Sequence, residues 1–143
     1  MTVGDPVLIE RIAAGAVPFW ATLGIAVDTV LAPGQVVLRL PMRPPLGTRR
    51  PDVLHGGAIA TLIDAAAGSA AISQFGADED YVGLATVDLN VTYLNAATTD
   101  VTAEGRILRA SRSLAFMQVD VRTDDGTHIA TGRATYTIIR RPQ

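Results

Sequence analysis

Cysteine and lysine are both absent from this chain of 143 residues. Without cysteine, the chain can form neither a disulfide nor a thiolate nucleophile, and it has no thiolate ligand for a metal. Its two histidines lack the His-Glu-x-x-His spacing of a zinc site, so we expect neither a metal nor a bound cofactor. The formal net charge of −2 provides no positive field for nucleic acid, and we expect no nucleic-acid partner.

Long hydrophobic runs are missing as well. No segment of about 18 apolar residues is free of charge, proline and glycine, and the N-terminus lacks the basic start and apolar core of a signal peptide. We therefore expect a cytoplasmic protein without a membrane partner. Hydrophobic residues nevertheless make up 48% of the chain, which argues against disorder and predicts a single packed domain over residues 1–143.

All twelve basic residues are arginine. One interpretation is codon bias in a GC-rich genome, in which case these side chains are ordinary surface charges. The other is that some of them bind phosphate, because the planar guanidinium group matches phosphate oxygens in pairs. Composition alone does not separate the two interpretations.

The order of the predicted elements is typical of an α+β domain. An amphipathic helix over Pro6 to Phe19 precedes two strands, which the Pro33-Gly34 turn joins. A loop from Met42 to Val53 leads into a long apolar helix, and β-branched strand patterns follow it. We expect an antiparallel sheet whose concave face wraps round that helix. The predicted helix is Gly57 to Gln74, and the predicted strands are Ile25 to Leu31, Gln35 to Leu40, Leu84 to Leu94, Asp100 to Arg109, Leu114 to Arg122 and His128 to Ile138.

One carboxylate, Asp64, stands inside the long apolar helix. A helix that is apolar all round is buried, and a buried charge is costly unless it is hydrogen-bonded or paired. At the start of the same helix, Gly56 and Gly57 would let a substrate carbonyl approach free backbone N–H groups and the positive end of the helix dipole. The helix therefore combines a candidate oxyanion donor with a candidate base or nucleophile. A tight turn and a structural aspartate at a dimer interface would produce the same pattern.

Four motifs, in this order, resemble the hotdog-fold thioesterase superfamily and in particular its PaaI-like members. His55-Gly56-Gly57 is followed by Ala60-Thr61-Leu62-Ile63-Asp64, as in the central helix of that family. The other three motifs resemble its later strands and are Thr86 to Leu94, Ser111 to Phe116 and Ala130 to Ala134. The resemblance covers nearly the whole chain beyond the first helix. It implies a hotdog fold, in which an antiparallel sheet wraps round a long central helix.

The resemblance also implies hydrolysis of acyl-CoA thioesters by a homodimer or homotetramer whose active sites lie between subunits. Gly56 would present its backbone N–H to the thioester carbonyl. Asp64 of the other subunit would act as general base or as nucleophile, and Thr86 would help to hold the water or the carboxylate. His55 would position the loop before the helix. CoA is then part of the substrate, and no separate cofactor is implied.

Substrate-binding residues are implied in two regions of the chain. Gly57 adjoins the helix N-terminus, where free backbone N–H groups are available to a ligand. The turn before the fifth predicted strand resembles the CoA-phosphate region of the family, and its candidates are Arg109, Ser111, Arg112 and Ser113.

The chain departs from the family pattern at Arg49. The family usually carries Asn or Gln at this place, six residues before the histidine, where its amide orients the nucleophilic water. Arg49 is instead a candidate for substrate binding, and Asp52 or a backbone group would have to replace the amide.

Two other classes of function remain open from the sequence. A hotdog domain can bind acyl-CoA without hydrolysing it, although no basic recognition helix or arm accompanies this domain to indicate a transcription regulator. A hotdog dehydratase or hydratase is the other class, but the Asp-x-Asn-Pro-x-His pattern of hydratases is absent. The sequence contains no signal for the length of the acyl chain.

Overall fold

The computed structural model describes residues 5–14 and 17–142. Three α-helices, a short 3-10 helix and six strands follow one another along the chain. They are α1 (Pro6–Ala14), α2 (Pro18–Leu23), β1 (Ala26–Ala32), β2 (Gln35–Leu40), the 3-10 helix (Pro44–Leu46), α3 (Gly56–Phe75), β3 (Tyr81–Tyr93), β4 (Val101–Ala110), β5 (Leu114–Thr123) and β6 (His128–Arg140).

The six strands form one antiparallel sheet in the order β1-β2-β4-β5-β6-β3, and α3 packs against β2, β3, β4, β5 and β6. The predicted α+β architecture is thus confirmed. The helix and the sheet approach closely at two glycines: an added Cβ would lie 2.7 Å from the Ala66 carbonyl oxygen at Gly105 and 2.8 Å from Ile63 at Gly132. Small residues on both sides therefore decide how deeply the helix sits in the sheet.

Helix α3 owes its apolar character to this position. Leu62, Ile63 and the alanines 65–67 are fully buried between the helix and the sheet. Among the described helices, α3 is long and apolar enough to cross a membrane by composition, but 67% of its most apolar window is buried inside the fold. An internal helix of this kind needs apolar residues on every face, so the composition is explained by the core.

The N-terminal helix differs from the prediction. We expected one helix over Pro6 to Phe19, but the described residues form two, α1 and α2. Pro18, which lies inside the predicted helix, begins α2, because proline has no N–H to lose at a first helical position. Residues 15–16 lie outside the described part of the chain. The strand predictions were correct in number and order, and their ends differ from the observed ones by at most three residues.

Strand β3 lies at an edge of the sheet and pairs only with β6 among the described strands. Its register shifts between Thr86 and Asp88, which is a β-bulge opposite β6. Because Thr86 pairs with Tyr136 and Leu89 pairs with Ala134, the bulge keeps Thr86 and Leu89 on the same face as the buried side chains of β6. Simple alternation would have placed these two residues on opposite faces.

Candidate active site

The N-terminus of α3 presents a free backbone donor. His55 is the N-cap residue, and its Nδ1 accepts a hydrogen bond of 2.8 Å from the N–H of Gly57. This bond satisfies one of the backbone donors at the start of the helix. The N–H groups of Ala58 and Ile59 are bonded to the His55 carbonyl. In the described part of the chain, the N–H of Gly56 has no acceptor, and it is therefore available to a ligand.

Tyr93 fixes this end of the helix to the sheet. Its hydroxyl donates a hydrogen bond of 2.6 Å to the carbonyl oxygen of Gly56. A Cβ at Gly56 would lie 3.3 Å from the Tyr93 ring, so glycine is the residue that fits here without displacing the ring. The sequence analysis includes Tyr93 in a strand motif but predicts no role for it. Its position at the end of β3, the strand that follows α3 in the chain, is the feature that could have indicated a contact with the helix.

Asp64, Thr86 and Tyr136 meet in a second cluster, further along α3. The Thr86 hydroxyl donates to Asp64 Oδ1 over 2.9 Å, and the Tyr136 hydroxyl lies 2.6 Å from the same oxygen. Tyr136 also lies 2.8 Å from the backbone carbonyl oxygen of Asp64. The sequence predicted Asp64 and Thr86 as site residues, and the structure brings them into contact. The sequence did not predict Tyr136 as a site residue. It lies just beyond the motif Ala130 to Ala134, and an aromatic residue is common in any strand.

The Tyr136 phenol is buried against the helix. Only 6% of Tyr136 is exposed to solvent. The phenol reaches Asp64 because Gly68 has no side chain in its way: a Cβ at Gly68 would lie 3.0 Å from the phenol oxygen. Burial, followed by the hydrogen bond to Asp64, raises the pKa of Tyr136 well above its ordinary value. The phenol therefore remains a hydrogen-bond donor to the carboxylate over the whole neutral range.

The two clusters are separated along the helix. Gly56 and Asp64 are eight residues apart on α3, and with the ordinary rise per residue this corresponds to about 12 Å. A single carbonyl group bound at the Gly56 N–H of one protomer would therefore lie too far from the Asp64 carboxylate of the same protomer for direct attack.

The predicted CoA-phosphate residues lie in and beside the turn between β4 and β5. Ser111 closes this turn by hydrogen bonds to Leu114, and the Ser113 carbonyl is bonded to β6. Arg112 forms an ion pair with Asp80, and its guanidinium lowers the pKa of that carboxyl group.

Arg109, which precedes the turn, is exposed and borders a cavity of about 480 Å³. Through the pairing of Ala115 with Tyr136 and of Tyr136 with Thr86, the turn lies at the Asp64 end of the sheet.

Arg49 lies at the other end of the molecule, in the loop before α3. The loop is closed by the bridge between Gly47 and Leu54 and by hydrogen bonds of Thr48 to Arg50 and Val53. Arg49 is exposed, and Asp52 lies 4.0 Å from Arg50. No described residue of this loop offers an amide side chain in place of the one that the family pattern has here.

Two cavities adjoin the start of α3. One, of about 310 Å³, borders Gly56 and Tyr93. The other, of about 330 Å³, is lined mainly by apolar side chains together with His55 and Gly57, and Phe19 of α2 is among them. A third cavity of about 360 Å³ between α1, α2 and β1 is lined by apolar residues alone, including Trp20. Over residues 5–14 and 17–142, no group of three His, Cys, Asp or Glu side chains is arranged to hold a metal ion.

Comparison with known proteins gives consistent results. A family model described as the thioesterase superfamily matches residues 52–130. A protein of Halobacterium salinarum, provisionally named as an esterase, is 32% identical over 126 residues, which are 82% of each chain. The medium/long-chain acyl-CoA thioesterase YigI of Salmonella typhimurium is 29% identical over 104 residues, covering 65% of this chain and 67% of its own.

Solved structures support the fold. A thioesterase family protein from Silicibacter pomeroyi superposes with a TM-score of 0.83 and 28% sequence identity, covering 94% of this chain and 99% of its own. The likeness extends over the sheet and the central helix, so the predicted hotdog fold is confirmed.

Proposed function

This chain belongs to the thioesterase superfamily, and from that premise we propose that it hydrolyses acyl-CoA thioesters to a free acid and CoA. One observation carries the proposal most directly. Asp64 lies in an apolar helix, where a carboxylate is costly, and it is held by Thr86 and Tyr136 through one oxygen only. The second oxygen of this half-buried carboxylate is therefore available to a water molecule or to a thioester carbon.

The reaction would use the two ends of the site in different ways. The thioester oxygen binds at the Gly56 N–H, where the helix dipole adds to the polarisation of the carbonyl group. Asp64 takes a proton from water, the oxygen of that water bonds to the carbonyl carbon, and the tetrahedral oxyanion forms against Gly56. The C–S bond then breaks, and the leaving sulfur takes from Asp64 the proton that came from water, which gives the CoA thiol and restores the carboxylate. Direct attack by Asp64, through an anhydride that water hydrolyses, is the other route.

The separation of Gly56 from Asp64 supports a site that two subunits share. Tyr93 marks the Gly56 end of β3, and Thr86 marks the Asp64 end. If the edge strands of two protomers pair antiparallel, with the two-fold axis between Leu89 and Asn90, Tyr93 faces Thr86 of the partner subunit. The Gly56 N–H of one protomer and the Asp64 carboxylate of its partner then lie on the same side of one sheet.

The substrate assignment rests on the cavities and on the relatives. The cavity beside His55 and Gly57, with Phe19 in its wall, would take an apolar acyl group next to the Gly56 N–H. The YigI thioesterase is named for medium- and long-chain acyl-CoA, and we include acyl chains of this class in the proposal. Arg109 and Arg112, at the Asp64 end of the sheet, are the candidates for contacts with CoA phosphates.

The test is thiol release from a panel of acyl-CoAs, first with the wild type and then with two inactivating variants. Asp64→Asn keeps the hydrogen-bonding oxygen but removes the base, and it should lower kcat by about 10²-fold or more. Gly56→Pro removes the N–H. The backbone accommodates proline because Gly56 is the first helical residue and His55 already has an extended backbone, with φ −64° and ψ 136°. An added Cβ lies 3.3 Å from the Tyr93 ring in any variant of Gly56, so this contact has to be controlled for. Gly56→Ala is the matched control, since it adds a Cβ and keeps the N–H.

Mixing the two inactive variants then tests the shared site. In a dimer of one Gly56→Pro chain and one Asp64→Asn chain, one site carries both lesions and the other carries neither. With random mixing, about a quarter of the wild-type activity should return. A site built from one protomer would return none. Equal turnover by Asp64→Asn and the wild type would show instead that the carboxylate is structural.

A second candidate function is acyl-CoA binding without hydrolysis. The observation that favours it is Arg49, which stands where the family usually has the amide that orients water. In that case CoA and acyl-CoA would raise the melting temperature, because they bind the folded state, but no acyl-CoA of the panel would release thiol.

A further inference from the structure

We infer that Tyr136 is a positioning residue, which together with Thr86 holds Asp64 Oδ1 and leaves Oδ2 as the oxygen that takes the proton or attacks the thioester. The inference rests on the proposed function and assigns the reacting atom within it. Neither the sequence motifs nor the comparisons point to Tyr136.

Two hydroxyl groups converge on one oxygen of the carboxylate. Thr86 donates from β3 and Tyr136 from β6, over 2.9 and 2.6 Å. The single proton of the phenol has the shorter distance to Oδ1, 2.6 Å against 2.8 Å to the Asp64 carbonyl oxygen, and with Thr86 it fills the roughly two lone-pair positions of Oδ1. Within the described residues, Oδ2 has no hydrogen-bond partner, and no cationic side chain forms an ion pair with Asp64. The base must therefore act through Oδ2 unless it first breaks one of these bonds.

The Tyr136 hydroxyl is itself held in place from three directions. It lies 2.8 Å from the backbone carbonyl oxygen of Asp64, so it contacts both the main chain and the side chain of the same residue. Tyr136 and Thr86 are cross-strand partners, which places their hydroxyl groups side by side. Gly68 admits the ring, since a Cβ there would lie 3.0 Å from the phenol oxygen. A hydroxyl that is confined in this way restricts the rotation of the carboxylate.

The protonation state of the pair follows from its surroundings. Tyr136 is the titratable group in contact with Asp64 among the described residues, and Thr86 is the other contact. Because burial raises the pKa of the phenol, Tyr136 donates throughout the working range of pH. Both hydroxyl groups reach the same oxygen of Asp64, and the removal of either should leave the carboxylate freer to rotate.

Tyr136→Phe is the direct test, because it removes the hydroxyl and leaves the ring. We expect kcat to fall about 10- to 100-fold, as for the loss of a hydrogen bond to a charged group, with KM nearly unchanged. Gly68→Ala should also lower kcat with little change in KM, because the added Cβ, 3.0 Å from the phenol oxygen, displaces the hydroxyl without removing it. Tyr81→Phe, on β3 and away from Asp64, is the control.

A second measurement is independent of activity. The side-chain carboxyl of Asp64 is followed by ¹³C NMR and identified by the signal that Asp64→Asn loses. Its chemical shift at neutral pH should change in Tyr136→Phe, because Oδ1 loses a hydrogen bond, and should stay the same in Tyr81→Phe. An unchanged chemical shift in Tyr136→Phe, or a fall in kcat/KM that comes entirely from KM in a folded variant, would overturn the role of Tyr136. Absence of thiol release by the wild type would overturn the proposed function, and the NMR signal would still decide the contact.

Discussion

Asp64 is a carboxylate in an otherwise apolar helix, and hydrogen bonds from the sheet stabilise it there. Its neighbours on α3 are apolar or small, and a carboxylate among them is costly unless it is hydrogen-bonded. The donors come from two strands that are far away in the sequence, and Gly68 on the helix provides the space for one of them. The surroundings of this single residue therefore depend on the packing of the whole sheet.

Two buried serines on α3 allow a matched stability test. Ser69 is fully buried, and its hydroxyl is the buried side-chain polar atom without a partner among the described residues. Ser69→Ala should therefore raise the free energy of unfolding by about 1 kcal/mol. Ser73 is equally buried, but its hydroxyl accepts from the Gly34 N–H over 2.9 Å and donates to the Ala70 carbonyl over 2.8 Å.

Ser73→Ala should accordingly lower the free energy of unfolding by about 1–2 kcal/mol, since it leaves a buried N–H unpaired. Urea denaturation of both variants measures the two changes. If the free energy of unfolding changed in the same direction in both variants, hydrogen bonding would not explain why these two serines differ.

Arg112 is the first candidate for contact with the CoA phosphates. Arg112→Ala should raise KM for acyl-CoA and reduce the rise in melting temperature that CoA produces, while kcat changes little. Arg122→Ala, at the opposite end of β5, is the control. Because Arg112 is already paired with Asp80, a phosphate group has to compete with that carboxylate. An unchanged KM would mean that Arg112 serves the ion pair alone.

At the scale of elements, the sequence indicated the order of helices and strands but missed two local features. It could not show that Pro18 begins a helix, because proline ends one helix and starts another with equal ease. Nor could it show the bulge in β3, because Thr86, Val87 and Asp88 read as ordinary alternation. The bulge places Thr86 towards Asp64, and such an irregularity is set by pairing with β6 and not by local propensity.

The fit of α3 to the sheet can be tested at Gly105. An alanine Cβ there would lie 2.7 Å from the Ala66 carbonyl oxygen, which belongs to the helix backbone and cannot move aside alone. Gly105→Ala should therefore lower the free energy of unfolding by about 1–3 kcal/mol. At Gly83, on β3, nothing lies within 4 Å of an added Cβ, so Gly83→Ala is the control. Equal stability of both variants would contradict the close packing of α3.

At the scale of the molecule, β3 exposes more apolar surface than a monomer would be expected to leave in water. Val82 is 57% exposed, Val87 60% and Tyr93 50%, and the outer edge of the strand is unpaired among the described residues. We expect light scattering at micromolar concentration to give the mass of a dimer or tetramer. Val87→Arg should weaken the assembly and lower activity in proportion to the loss of dimer. A monomeric wild type would rule out both the assembly and the shared site.

The sequence by itself determined the fold class, the central helix and the segments that carry the candidate site. Those features depend on local patterns: apolar residues on every face of a helix, β-branched strands, and a glycine pair before a helix. Only the tertiary structure decided what surrounds Asp64. Tyr136 is 72 residues away along the chain, and its contact depends on strand pairing, on a bulge and on the space at Gly68. Contacts between distant residues are selected by the packing of the whole sheet, and a local pattern does not contain them.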